Sequence, residues 1–227
     1  MDQSLPQHRG LFVTGTDTGV GKTVVCAALM QRYGPRHRPR YWKPIQTGIE
    51  QDNDTATVRD LGVCVDGEIF DQGVRLRGPY SPHWSAHLAA TRIELQPLLD
   101  LFAAEEAGAW VVEGAGGVLV PINDSDLMVD LISQLHLPAL VAARSGLGTI
   151  NHALLTLGAL EAAEVPVAGV VMVGEPDAAN RRAIETYGDV EVVAEIPPFA
   201  ELSADTFGDW ARESFDPEGR LEKYFRA

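Results

Sequence analysis

One stretch constrains this chain more than any other. Gly10 to Gly15 (GLFVTG) reads as a strand, and it runs into Gly15-Thr16-Asp17-Thr18-Gly19-Val20-Gly21-Lys22-Thr23. The spacing then predicts a helix from Val20 to Tyr33, closed by Gly34 and Pro35. A strand that turns through glycines into a helix start aims backbone N–H groups and the positive end of the helix at one point, which suits phosphate. Gly19 and Gly21 let those N–H groups turn inward. Lys22 is placed to reach β- and γ-phosphates, and the Thr23 hydroxyl can ligate Mg²⁺. The run fits the phosphate-loop pattern GxxxxGK[ST], except that its first glycine, Gly15, stands one residue before the position that Thr16 fills.

The rest of the chain alternates apolar strand-like runs with helical patterns. Strands are expected at Arg40 to Ile45, Trp110 to Glu113 (breaking at Gly114), Ala139 to Ala143, Val167 to Val173 and Val190 to Ile196. Helices are expected at Asp54 to Leu61, Glu94 to Ala107, Met128 to Leu135, Thr149 to Ala163 and Ala178 to Tyr187, with another over the sheet after Asp205. Gly62 to Pro82 gives no clear pattern. Continuous apolar strands between helices imply an α/β, P-loop NTPase-like three-layer fold, with a mainly parallel central sheet flanked by helices. At 227 residues and 45% apolar content, the chain suits a single domain, residues 1–227, with a polar tail at residues 1–9.

The formal charge of −14 argues against a general nucleic-acid binder or an anionic-membrane binder. That mean hides a basic end, since residues 1–45 hold seven basic residues against Asp2 and Asp17. Cys26 and Cys64 are too few for a disulfide scaffold and read as reduced thiols. No run approaches the roughly 18 apolar residues of a membrane helix. The first nine residues lack the apolar centre of a secretory signal, so a cytoplasmic location is expected.

Chemistry-bearing residues fall at the carboxyl ends of the expected strands, where such sheets bind ligands. Only three lysines occur, Lys22, Lys43 and Lys223, and two of them stand there. Lys43, in Lys43-Pro44-Ile45-Gln46-Thr47-Gly48, is either a surface lysine or a cation for a transferring phosphoryl group. Asp52-Asn53-Asp54 is either a plain helix cap or a source of a metal-binding carboxylate. Glu113, followed by Gly114-Ala115-Gly116-Gly117, ends an apolar strand where an acid can hold Mg²⁺ or its waters. Thr149, Asn151 and His152 open a long helix whose N-terminal amides either are simply capped or bind a carboxylate. His83 lacks metal-ligand spacing to a partner and reads as structural.

Taken in order, GTDTGVGKT, KPIQTG, DNDT, SPH, VEGAGG and LGTINH resemble the dethiobiotin synthetase family, clearly to about residue 175 and more weakly to Pro197. That resemblance implies a homodimeric enzyme that uses 7,8-diaminopelargonic acid, CO₂ (or bicarbonate) and MgATP. One amine is carbamylated, the γ-phosphoryl passes to the carbamate, and the other amine closes the ring with loss of phosphate. By position, Gly19, Val20, Gly21, Lys22, Thr23 and Val24 would hold the phosphates, beside Gly114, Ala115 and Gly116. Thr23, Asp54 and Glu113 would surround Mg²⁺, and Lys43 would be catalytic with Lys22. Thr18, Lys43 and Thr47 would face the diamine, while Leu147, Gly148 and Asn151 would take its carboxylate near the dimer interface. Pro197, Pro198 and Phe199 would lie near the adenine.

Two positions depart from the pattern. Many members carry an acidic residue where Gly19 stands, and some carry an adenine-reading Asn where this chain has Val173. Two rivals share the loop. Partition-type ATPases carry a signature lysine where Asp17 stands, and cobyrinic-acid-type amide synthases carry an additional glutaminase domain for which 227 residues leave no room.

Overall fold

The computed structural model describes residues 8–226. Strand β1 (Arg9–Gly15) leads through the loop into α1 (Lys22–His37). There follow β2 (Arg40–Trp42), β3 (Ile45–Gln46), α2 (Asp54–Leu61), β4 (Ile69–Phe70), β5 (Val74–Arg75), α3 (Pro82–Leu88) and α4 (Leu95–Ala103). The second half runs β6 (Ala109–Gly117), α5 (Met128–Leu135), β7 (Ala139–Arg144), α6 (Thr149–Ala162), β8 (Val167–Val173), α7 (Ala178–Gly188), β9 (Val192–Ile196) and α8 (Ala204–Ser214).

Seven strands form one sheet in the order β4-β2-β6-β1-β7-β8-β9, and every pairing in it is parallel. Side chains alternate along β1, and the two faces bury different sets. Phe12 packs with α3 to α7 on one face, and Leu11 and Val13 pack with α1, α2 and α8 on the other. The expected α/β class with a parallel sheet between helical layers is what the chain adopts. Among the described residues, no helix is long and apolar enough to cross a membrane.

Several boundaries differ from the sequence reading, each for a physical reason. The expected tail at residues 1–9 falls largely outside the described residues, and Arg9 already belongs to β1, donating to the Gly108 carbonyl at 2.9 Å. Helix α1 does not stop at Gly34 and Pro35. Proline deletes one backbone donor, but Tyr33 and His37 dock on Asp216 and Glu222, and the helix ends a turn later at Arg38 in the left-handed region. The expected strand Arg40 to Ile45 is broken at Lys43-Pro44, because proline cannot donate to the ladder.

Strand β6 does not break at Gly114 but continues to Gly117, which pairs with Gly15 of β1 after a shift in register. Helix α4 ends at Ala103 and not at Ala107, and Glu105 beyond it pairs with Arg40. The unclear Gly62 to Pro82 stretch holds β4 and β5, and α3 opens with Pro82 in its first turn, a start signal the sequence reading passed over.

Candidate active site

The loop between β1 and α1 is built for an anion. Gly21 caps α1 at φ 97 with no side-chain cap, so the first helical N–H groups stay free for a ligand. A side chain at Gly21 would be strained at that angle, and its Cβ would lie 2.9 Å from Val173 at the end of β8. Lys22 is buried and curls back to donate to the Asp17 carbonyl at 2.9 Å. Burial lowers its pKa, with the charge of Glu113 pulling the other way. The Asp17 carboxylate accepts from the Thr18 amide and pairs with Arg144 at 2.8 Å, which ties the loop to the end of β7.

Lys43 is buried where β2 ends. Its Nζ lies 2.5 Å from Asp54 Oδ2 and 2.7 Å from Glu113 Oε1. Burial works to lower its pKa, but the two carboxylates outweigh that and raise it, so the ammonium stays charged. Burial likewise works to raise Asp54, and Lys43 overrides it to hold the carboxyl below the usual range. Asn53 is the residue that caps α2, accepting from the Ala56 amide at 3.0 Å. That leaves Asp54 free to face Lys43 and Thr23, so within the Asp52-Asn53-Asp54 run Asn53 is the cap and Asp54 turns to the cavity.

Glu113, fully buried, is the focus of the cluster. Its Oε1 receives Lys43 and lies 3.0 Å from the Thr23 hydroxyl, which is also 3.1 Å from Asp54 Oδ1. Its Oε2 accepts from Tyr41 at 2.8 Å. Burial pushes the Tyr41 phenol well up, and the charge of Glu113 adds to this, so the phenol remains a donor. Burial and Glu113 together also push the Cys26 thiol well up, which leaves it an inert buried group. Cys64 is raised to about 12, mainly by burial.

A cavity of about 490 Å³ opens over this cluster, within the range of small-molecule sites. Thr18, Gly19, Gly21, Lys22, Thr23, Val24, Lys43, Thr47, Asp54, Glu113, Ala115 and Gly116 line it, so most of the expected site residues converge there. Val20 does not: it is buried in the core beside α1. Gly114 lies beneath, where any side chain would meet the Phe12 ring at 2.9 Å.

The remaining expected residues lie outside the cavity wall. Leu147, Gly148 and Asn151 sit at the turn into α6, which has no side-chain cap; Leu147 is fully exposed, and the buried Thr149 hydroxyl lacks a partner. Pro197, Pro198 and Phe199 follow β9, with Phe199 against Phe207 and Trp210 of α8. The sequence reading missed Pro79, Tyr80, Ser81 and Pro82, which form one wall, and Tyr41 below the floor. The Ser-Pro start of α3 was the available signal for that wall. His83 is not in the wall; its Nδ1 bonds the Ser81 hydroxyl at 3.0 Å, as a structural histidine would.

Among the described residues, no cluster of three or more His, Cys, Asp or Glu could hold a metal unaided. Thr23, Asp54 and Glu113 supply one hydroxyl and two carboxylates around one point. That set fits Mg²⁺ shared with phosphate oxygens, since this ion keeps several waters and takes only one or two carboxylates.

Known proteins share both the fold and the sequence. A family described as an AAA domain matches residues 9–206. The chain is 47% identical over 211 residues to the ATP-dependent dethiobiotin synthetase BioD of Paramagnetospirillum magneticum, covering 93% of this chain and 98% of that one. It is 39% identical to the enzyme of the same name from Agrobacterium fabrum, covering 92% and 96%. It is also 46% identical to the biotin biosynthesis bifunctional protein BioCD of Bordetella avium, spanning 90% of this chain but 43% of that longer protein.

Among solved structures, a ParA family ATPase from Chlorobium tepidum shares the fold with a TM-score of 0.55 at 12% identity, over 90% of this chain and 97% of that one. The receptor FtsY from Elizabethkingia anophelis does so with a TM-score of 0.52, also at 12% identity, over 98% and 68%. Likeness at that identity speaks for architecture alone. Near-complete coverage at 47% identity speaks for more, and the chain belongs to the dethiobiotin synthetase family.

Proposed function

We propose that this protein is an ATP-dependent dethiobiotin synthetase, a cyclo-ligase forming C–N bonds in biotin biosynthesis. The observation that carries the reading is the buried Lys43 ammonium, 2.5 and 2.7 Å from Asp54 and Glu113, in one cavity with Lys22 and the head of α1. The chemistry asks for such a place. One amine of 7,8-diaminopelargonic acid adds to CO₂ to give a carbamate and a proton. A carbamate oxygen attacks the γ-phosphorus of ATP, and the bond to ADP breaks. The second amine attacks the carbonyl of the mixed anhydride, phosphate leaves, and the ureido ring closes.

Carbamate and γ-phosphate are both anions, so bringing them together requires fixed positive charge between them. Lys22 and the α1 amides face the phosphates, and Lys43 faces the meeting point. Thr18 and Thr47, which both line the cavity, would orient the diamine. Mg²⁺, when bound with ATP, would be held by Thr23, Asp54 and Glu113 and would supply further charge neutralisation at the phosphates.

The same reading takes residues 1–227 as one catalytic domain acting in the cytoplasm, where ATP is made and used. It also takes the enzyme as a homodimer with the diamine carboxylate bound at the start of α6. Support comes from exposed Leu147 in the turn before that helix and exposed Leu155 on it, and from its uncapped N-terminus with the unpartnered Thr149 hydroxyl. The deciding assay measures ATP-dependent incorporation of labelled bicarbonate into acid-stable product. Incorporation should need the diamine, on a species sedimenting at about twice the 24.5 kDa chain mass. Incorporation independent of the diamine would overturn the function, and an active monomer would overturn the dimer.

A second expectation concerns the nucleotide base. Val173 packs against Gly21 and offers no polar atom to read adenine. ATP and CTP should therefore give kcat/KM values within about tenfold. A preference for ATP above about 100-fold, roughly 2.7 kcal/mol, would show that another group reads the base.

A further inference from the structure

Tyr41 is an odd member of its surroundings. It pairs with Ile69 on one side and Val111 on the other, and it lies fully buried among Leu11, Val25, Leu29 and Val111. Packing alone would be met there by phenylalanine. The hydroxyl has a specific destination, however. Glu113 stands two residues beyond Val111 on β6, on the same face of the sheet, and the Tyr41 hydroxyl donates to its Oε2 at 2.8 Å. The other oxygen, Oε1, serves Lys43 and Thr23 at 2.7 and 3.0 Å. The two oxygens thus divide their work, with one held from below and the other presented to the cavity.

We infer that Tyr41 is a positioning residue, which locks the Glu113 carboxylate in the one orientation that presents Oε1 to Lys43, Thr23 and the metal–nucleotide. Carboxylates that meet a metal are themselves oriented by hydrogen bonds from behind, and loss of such a partner typically costs about 10–100-fold in affinity or activity. Here the ring is clamped between strand and helix, so its hydroxyl has little freedom to follow a rotating carboxylate. The inference rests on the synthetase reading, in which Glu113 faces MgATP.

The test is Tyr41→Phe, which keeps the ring and its packing. ADP binding is measured by calorimetry in EDTA and again with Mg²⁺, for wild type and variant. The gain in ADP affinity that Mg²⁺ brings should fall about tenfold in the variant, while the affinity in EDTA stays within twofold. Turnover at saturating MgATP should fall by a similar factor with the KM for the diamine unchanged. A Mg²⁺ gain within twofold of wild type would overturn the positioning role. So would an equal fall in the EDTA affinity, because that would mean a general structural defect. A wild-type protein showing no Mg²⁺ gain would instead sink the metal reading itself, together with this inference.

Discussion

Lys43→Ala should lower turnover by about 10²–10³-fold, the scale seen when one charge-stabilising group is removed from a preorganised site. The structure adds a consequence that position alone did not reveal. Lys43 is the cation between Asp54 and Glu113, at 2.5 and 2.7 Å, so alanine leaves two carboxylates facing each other across a buried gap. The melting temperature should therefore fall as well, since removing one partner of a buried ion pair strands the other. Lys43→Arg separates the two effects. It keeps the positive charge and much of the stability, but a planar fork cannot place a point charge where the ammonium sits, so turnover should still fall by at least about tenfold. Steady-state rates with saturating diamine, read beside thermal melts, check both. A Lys43→Ala enzyme within fivefold of wild type would remove Lys43 from the chemistry.

Gly10→Ala should have the largest effect on stability. Gly10 holds φ +127, a region side chains rarely enter, and its Cβ would lie 1.9 Å from the backbone oxygen of Trp110, its partner across β1 and β6. That oxygen belongs to the ladder beneath the phosphate loop and cannot move aside like a flexible side chain. A cost of about 3 kcal/mol or more is expected. For a chain of this size that is a fall of about 10 °C in melting temperature. Gly34→Ala is the matched control. It sits inside α1 at ordinary helical φ with nothing within 4 Å of the added methyl, so it should hold or slightly raise the melting temperature. If Gly10→Ala yields no soluble protein while Gly34→Ala does, the argument stands. A fall of less than about 3 °C for Gly10→Ala would refute it.

Which parts of the site were legible in the sequence follows from how far each relation reaches along the chain. The phosphate loop is local: strand, glycines, Lys22, Thr23 and helix start are neighbours in sequence, and their spacing carries their geometry. Glu113 and Lys43 were legible as charged residues at strand ends, because a buried parallel strand rarely ends in such a group without reason. Asp54 was half legible. An acid at a helix start is equally a cap or a ligand, and only the folded chain shows that Asn53, on the Ala56 amide, takes the cap while Asp54 faces Lys43. The wall at Pro79 to Pro82 lay in a stretch without periodicity, where the Ser-Pro helix start was the available local signal.

Tyr41 could not have been found from the sequence at all. Along β2 it is one more buried aromatic next to Trp42. Its meaning comes from the pairing of β2 with β6, whose partners Arg40↔Trp110 to Trp42↔Val112 lie 70 residues apart in the chain and sit side by side only after folding. The same holds for Gly114 and Gly117. Glycines after an apolar run read as a break, yet β6 runs on through them and rejoins β1 at the Gly15↔Gly117 pair after a register shift, because inter-strand hydrogen bonds outweigh a weak intrinsic preference.

By itself, then, the sequence determined the layered parallel α/β class, the phosphate loop and the identity of the charged groups, since each follows from hydrophobic period, glycine placement and rare lysines. Tertiary structure alone decided which of those charges meet. Thr23, Asp54 and Glu113 come from α1, α2 and β6, and Lys43 from the link after β2. Ion pairs, unlike helical periods, depend on distances that only the closed sheet sets.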